Sequence, residues 1–337
     1  MKKLVTTMML ITGMIAGPAL ASFSMDSCLL EQMDTAQESV TVGELKKICL
    51  RLRLSKQIVS QIEEVTPINS AIKRRVAFER QQQDNPFSLQ AHKPNYIILS
   101  NNLDSPNEQP FNNADPDRGF NFQPWETKFQ LSVKVPIARS VLFGEGDLYV
   151  AYTNRSFWQM FNKEGSAPFR DSNHEPEAWL SFKRDQDYFG WHNSLIRTGF
   201  VHQSNGQSSG LSRSWNRVYA DFIFERENLY LSFKPWWRVP ESIKNDDNRD
   251  IDKYLGNFEL SGVYKKGDHN FDFMIRNNLR SSENHGAFQL GWSFPLHLLS
   301  NHGRWYIQWF NGYGESLIDY DSRSNSIGMG IQLTDWL

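Results

Sequence analysis

Alternation with a period of two dominates this chain and predicts an all-β fold, a β-barrel of about twelve antiparallel strands crossing a membrane. Three observations carry that prediction. From about residue 95 onward, apolar and polar side chains alternate in segment after segment, which gives each strand one greasy face and one mainly polar or small face. Several segments have the ~9–11 residues that a tilted strand needs to cross a bilayer. Some connections are short, at 226–228 and 266–268, while others are long and polar, at 235–254 and 314–325. Short turns on one side and long loops on the other are the habit of outer-membrane barrels.

The chain begins with Lys2 and Lys3, then an apolar run, then the small-residue sequence Ala19-Leu20-Ala21. This is the pattern of a secretory signal peptide with cleavage after Ala21, so residues 1–21 are expected to be removed from an exported protein. A membrane anchor is the competing reading, but the apolar run is short and ends in a cleavage-type tripeptide. No later run approaches the length of a spanning helix.

Residues 22–84 form a segment of a different kind, a small helical appendage ahead of the barrel at 85–337. Both cysteines, Cys28 and Cys49, lie in it, and a lone pair in an exported protein most simply forms a disulfide. Thr41-Val-Gly-Glu44 has the form of a capping box before a helical stretch that reaches Leu54. A second helical segment is expected from about Lys56 to Gln83, interrupted at Pro67.

The strands follow near 95–101, 127–137, 147–158, 177–184, 193–204, 216–225, 229–237, 255–265, 269–280, 286–295, 304–313 and 325–337. In the second, Phe129, Leu131, Val133 and Val135 alternate with Lys128, Gln130, Ser132 and Lys134. In the tenth, Phe288, Leu290, Trp292 and Phe294 alternate with Ala287, Gln289, Gly291 and Ser293. A soluble secreted sandwich or barrel would also alternate, with its polar face toward water. The polar faces here, rich in Gly, Ser, Gln, Asn and charge, suit a packed hydrophilic lumen, and the Phe, Leu, Ile and Trp faces suit lipid. The aromatic load of 23 Phe, 11 Tyr and 11 Trp fits interfacial girdles. Net charge is −2, which offers none of the basic patch that a nucleic-acid binder needs.

One hairpin carries the chemistry. In the fifth strand Ile196, Thr198, Phe200, His202 and Ser204 share a face; in the sixth, Asn216, Val218, Ala220, Phe222 and Phe224 do. The two apolar sets are natural partners across the hairpin, so His202, Ser204 and Asn216 fall together at one end of a lipid-facing surface. A lone His-x-Ser pair is an ordinary surface pattern, and an asparagine at a strand start is usually a turn residue. Polar groups facing lipid are expensive unless they work there. In the mechanism that follows, His202 takes the proton of Ser204 and later protonates the leaving alcohol. Asn216 holds the imidazole tautomer. An amide adds no negative charge, and the oxyanion needs a separate stabiliser, for which a divalent cation is a candidate.

His202-Gln-Ser204-Asn-Gly206 followed by Ser212-Arg-Ser-Trp215-Asn216-Arg217 resembles the signature of the outer-membrane phospholipase A family. So do Asp84-Asn-Pro-Phe87, Ser166-Ala-Pro-Phe-Arg170, Glu175-Pro176, Lys234-Pro-Trp236 and Gly312-Tyr-Gly-Glu-Ser-Leu-Ile-Asp-Tyr320, from about residue 84 to the C-terminus. The resemblance implies a twelve-stranded outer-membrane barrel that hydrolyses sn-1 and sn-2 acyl esters of phospholipids, depends on calcium and is active as a homodimer. It further implies Ser204 as nucleophile, His202 as base, Asn216 as orienting residue and the backbone amides of Ser204 and Gly206 as oxyanion donors. For Ca²⁺ it implies the Gln207 carbonyl and Ser212, with Ser166 from the other subunit. Gln207 stands where an arginine can stand. Ser209 stands where an aspartate can serve a second calcium site whose other carboxylate matches Asp247. Asn154 falls where a dimer-interface glutamine is found. His174, His269 and His285 are expected to be surface histidines, and Glu315 and Asp319 structural. A non-enzymatic porin or adhesin on the same scaffold is the rival from another class.

Overall fold

A computed structural model describes Cys28, Met33 and residues 41–50, 70–82, 89–142, 144–163, 166–244, 246–296 and 303–335. The expected signal peptide and residues 56–69 of the second helical segment lie outside them. The chain divides into two compact units, Met1–Ile68 and Asn69–Leu337. In the first, residues 42–50 are helical. Their start carries the reciprocal capping box: the Thr41 amide donates to Glu44 Oε2 at 2.9 Å and the Glu44 amide to Thr41 Oγ1 at 3.4 Å. Cys28 and Cys49 are joined in a disulfide.

The second unit holds the barrel. Its strands are β1 (Asn95–Asn102), β2 (Trp125–Ala138), β3 (Asp147–Trp158), β4 (Phe169–Tyr188), β5 (Trp191–Ser204), β6 (Ser214–Arg226), β7 (Leu229–Val239), β8 (Phe258–Lys266), β9 (His269–Asn277), β10 (Gly286–Pro295), β11 (Arg304–Tyr313) and β12 (Arg323–Thr334). Each pairs antiparallel with its neighbours in sequence, and β12 pairs with β1 to close the cylinder. The short Gln90–Ala91 strand adds to β2. At one end the β4–β5, β6–β7 and β8–β9 connections are two-residue turns; between β4 and β5, Phe189 and Gly190 both have positive φ, as a mirror-image hairpin turn requires. At the other end lie long loops, one carrying α2 (Gln109–Ala114) and one α3 (Ile251–Leu255).

Twelve barrel strands stand where the alternation predicts them, and the largest difference is β4. It was expected over 177–184 and begins at Phe169. Its early part has polar side chains on both faces, Asp171, Asn173 and Glu175 on one and Ser172 and His174 on the other, so no apolar stripe marks it. Helix α1 (Ala71–Gln82) also differs, because it belongs to the barrel's compact unit rather than to the preceding segment. Ala71 and Ile72 pack on Leu195 and Tyr230 at the tight-turn end.

The barrel is polar inside. Lys93 pairs with Glu175, Arg217 with Glu175 at 3.7 Å, Lys234 with Glu177 at 3.8 Å and Arg197 with Asp221 at 3.8 Å. At the loop end Lys128 meets Glu315, and buried Arg170 holds both Glu126 and Asp319. Glu315 and Asp319 thus tie the 314–322 loop to the strands. The outer wall is apolar: Ile97, Leu131, Val150, Phe200, Val218, Phe271, Leu290 and Ile327 are all exposed.

Candidate active site

Antiparallel register brings the predicted groups to one place. β5 and β6 pair so that His202 lies directly opposite Asn216 and Ser204 opposite Ser214. On its other side Ser204 faces His174 of β4. The outward direction of this row follows from parity, since Phe200 and Val218 on the same faces are exposed. The inward residues beneath hold the hairpin rigid. Trp215 is fully buried, its Nε1–H donates to Gln203 Oε1 at 2.9 Å, and the Arg217 guanidinium lies 4.0 Å over its ring.

His202 Nδ1–H donates to Asn216 Oδ1 at 2.9 Å. With Nδ1 carrying the proton, Nε2 is the lone-pair nitrogen. Ser204 is half-buried on the same face two residues on. No hydrogen bond joins its hydroxyl to His202 among the described contacts, and such bonds commonly tighten only when substrate is present. Asn216 Nδ2 donates in turn to Glu241 Oε1 at 3.2 Å.

The 205–213 loop is shaped by one buried side chain. The Asn205 amide donates to the Arg213 carbonyl at 3.0 Å, and Asn205 Nδ2 to the Leu211 carbonyl at 2.8 Å. Asn205 Oδ1 accepts from the amides of Gln207 at 3.3 Å and Arg213 at 2.9 Å. This clamp exposes Gly206, whose φ of +63° favours glycine. A Cβ there would come within 3.6 Å of the His174 ring.

The oxygen-rich residues for a cation are partly gathered. Ser212 Oγ donates to Asp247 Oδ2 at 2.6 Å, and Gln207 lies in the same loop. Hydroxyl, carbonyl and carboxylate oxygens are a hard donor set, which fits calcium and not zinc. Among the described residues no group of three His, Cys, Asp or Glu side chains is arranged to hold a metal ion. Ser166 sits on the turn between β3 and β4 with φ +58°, its amide donating to the Lys163 carbonyl at 3.2 Å. The structure describes no contact between it and Ser212 within the protomer. Asn154 faces outward on β3, accepts from Ser156 Oγ at 3.0 Å and approaches His174 Nδ1 at 3.4 Å.

Sequence reasoning missed three neighbours. His174, expected as an ordinary surface histidine, stands beside Ser204 and bonds Tyr152 Oη at 2.6 Å. Strand parity could have found this pair, had the polar start of β4 been read as strand. Asn205 and Glu241 act through loop conformation, which alternation does not reveal.

A closed cylinder with an apolar wall and a charge-filled interior defines an outer-membrane β-barrel, here one with hydroxyl, imidazole and amide groups on its lipid side. The family model for Phospholipase A1 matches residues 72–333. The Phospholipase A1 of Escherichia coli is 36% identical over 277 residues, which cover 82% of this chain and 91% of that one. Among solved structures, outer membrane phospholipase A from Escherichia coli, an asparagine-to-alanine active-site mutant, superposes with a TM-score of 0.70 at 37% identity, covering 78% of this chain and 98% of that one. The Salmonella typhi outer membrane phospholipase dimer with bound calcium gives 0.70 at 35% identity, covering 77% and 97%. The chain belongs to the phospholipase A1 family and is an enzyme, a carboxylic ester hydrolase. That sets aside the reading as a non-enzymatic porin or adhesin.

Proposed function

We propose that this protein hydrolyses the sn-1 and sn-2 acyl esters of membrane phospholipids by a Ser-His-Asn mechanism on its outer wall, with calcium, as a homodimer. The observation that carries the proposal is the His202–Asn216 hydrogen bond on a lipid-facing surface, with Ser204 two residues along the same face. Acyl chains reach that wall directly from the membrane, so substrate need not enter the lumen.

In this reading His202 Nε2 accepts the Ser204 proton as Oγ attacks the ester carbonyl. Negative charge gathers on the carbonyl oxygen, toward which the backbone amides of Ser204 and Gly206 donate. As the C–O bond to glycerol breaks, the imidazolium returns its proton to the departing lysophospholipid oxygen. The acyl-serine is then cleaved by water, which His202 deprotonates. Asn216 keeps the ring in the tautomer that accepts at Nε2 and contributes no charge of its own. The active-site asparagine of the Escherichia coli relative supports this role.

Gln207 through its carbonyl, Ser212 through its hydroxyl and Ser166 of a second copy would hold Ca²⁺, with Asp247 available to a further site. When bound, the cation supplies positive charge near the developing oxyanion. The calcium-bound dimer of the Salmonella typhi relative supports both metal and assembly. Asn154 then lies at the dimer interface. The mature chain is read as starting after Ala21, with a location in the outer membrane.

Ser204→Ala is expected to abolish fatty-acid release from phospholipid in detergent micelles while the barrel stays folded, and a calcium chelator should silence the parent enzyme. Persistent release by the Ser204→Ala protein would refute the assignment.

A further inference from the structure

We propose that Glu241 is a positioning residue for catalysis, the fourth member of a Ser204–His202–Asn216–Glu241 chain, which locks the amide of Asn216 in its productive orientation. The proposal rests on the Ser-His-Asn reading above and extends it to a residue of the β7–α3 loop.

A carboxamide can present either its oxygen or its nitrogen to a neighbour, at nearly equal steric cost. The choice decides the chemistry here. With Oδ1 toward His202, the ring is held with its proton on Nδ1, and Nε2 can accept from serine. With Nδ2 toward His202, the ring must accept at Nδ1, so Nε2 bears the proton and cannot act as base. A ring held in that wrong tautomer is a poor catalyst even when every atom is in place. Asn216 by itself has nothing to select between the two.

Glu241 makes the selection. An ionised carboxylate only accepts, so it pairs with Nδ2, at 3.2 Å, and leaves Oδ1 for His202, at 2.9 Å. Among the described contacts this is the only side-chain hydrogen bond of Glu241. Its location is built into the fold. Val239, the last residue of β7, lies directly opposite Asn216, and Glu241 follows two positions on.

The loop beyond is tied back at several points. Arg238 Nη2 donates to Asp246 Oδ1 at 2.7 Å and Arg238 Nη1 to the Arg249 carbonyl at 2.8 Å. Arg249 Nη2 donates to the Ile243 carbonyl at 2.6 Å, and the Asp246 amide to the Ser242 carbonyl at 3.1 Å. The Ser214 amide donates to Asn248 Oδ1 at 2.9 Å, which fastens this loop to the start of β6. A carboxylate behind the amide also supplies the anion that a Ser-His-Asn site otherwise lacks.

The test is a double-mutant cycle on the full-length mature protein in micelles with calcium. It reads kcat and KM on a diacylphosphatidylcholine and the rate at which a sulfonyl fluoride modifies Ser204. Glu241→Ala is expected to lower both kcat and the labelling rate about tenfold, the scale of one hydrogen bond to a charged group, with KM within about twofold. Glu241→Gln, which can still accept from Nδ2 but whose NH2 group also allows the flipped pairing, should recover only in part, to within about threefold of the parent. In an Asn216→Ala background, Glu241→Ala should change neither rate by more than about twofold. Full activity in Glu241→Ala, an equal loss in Glu241→Gln, or the same further loss in the Asn216→Ala background would overturn the proposal. If Ser204→Ala is inactive while any of these holds, only the role of Glu241 falls; if Ser204→Ala stays active, the Ser-His-Asn reading falls first.

Discussion

Asn205 and Asn216 show two uses of the same side chain within a dozen residues. Asn216 spends its oxygen on an imidazole, and its substitution by alanine removes orientation while leaving the proposed nucleophile and base in place. Asn216→Ala is therefore expected to lower kcat less severely than Ser204→Ala, in assays of fatty-acid release from micellar phospholipid; equal losses would contradict that division of roles. Asn205 spends its whole amide on backbone groups of its own loop. Asn205→Ala leaves those groups unpaired at a buried site, at about 1–3 kcal/mol for each group that water cannot reach. The loop that carries Gly206, Gln207 and Ser212 should loosen, and calcium affinity measured by calorimetry should fall while the strands persist. His202, Ser204 and Asn216 were legible in the sequence because strand parity alone puts them on one face. Asn205 and Glu241 were not, since their roles depend on a chain path set by side-chain to backbone bonds that have no period.

Helix α1 falls within the helical segment expected to reach Gln83, but its docking at the barrel's tight-turn end was not legible from pattern. Its Ile72 and Val76 meet Leu195, Ile223 and Tyr230, which are inward-facing apolar residues at a level where a lumen would ordinarily be polar. The reading of 22–84 as a separate appendage missed this, because an apolar inward residue on β5 or β6 makes sense only once a helix is there to cover it. Ser70 Oγ anchors the helix start to Glu225 at 2.6 Å. Glu79 anchors the helix body: Arg75 Nε donates to it at 2.8 Å and Lys134 Nζ at 2.8 Å. Burial alone would raise the Glu79 carboxyl, but Lys134 and Arg75 outweigh it and hold the group below its ordinary 4.5. A carboxyl lowered in the folded state stabilises at pH values above its unfolded value and loses that contribution as pH falls through the folded one. The docked helix should therefore keep this contribution at pH 7 and lose it in acid, as pH falls below the ordinary carboxyl range. Amide exchange within 71–82 should rise over that range, and Glu79→Gln should raise it already at neutral pH. The start of β4 makes the complementary point, since a stretch that is polar on both faces is invisible to alternation and is located only by its partners β3 and β5.

At the scale of the whole molecule the barrel is inside-out, and its inner and outer surfaces answer to different solvents. Inside, Arg170 is buried between Glu126 and Asp319 and is the cation paired with both. Arg170→Met would strand two carboxylates and should cost about 3–5 kcal/mol, the penalty of breaking a buried pair by removing one partner. Outside, Leu290 sits midway along β10, exposed on the apolar wall. Leu290→Arg puts a guanidinium into hydrocarbon and should cost about 2–4 kcal/mol if the residue lies near the bilayer midplane. The two losses are similar in size but differ in their dependence on the environment. Unfolding measured in lipid vesicles and again in detergent micelles should separate them: the Leu290→Arg penalty should shrink in micelles, where the side chain reaches water easily, and the Arg170→Met penalty should persist in both. If Leu290→Arg were equally costly in micelles, or free in vesicles, its side chain would not face lipid. The proposed catalytic row, which shares the outward parity of that wall through Phe200 and Val218, would then lose its access to acyl chains arriving from the membrane.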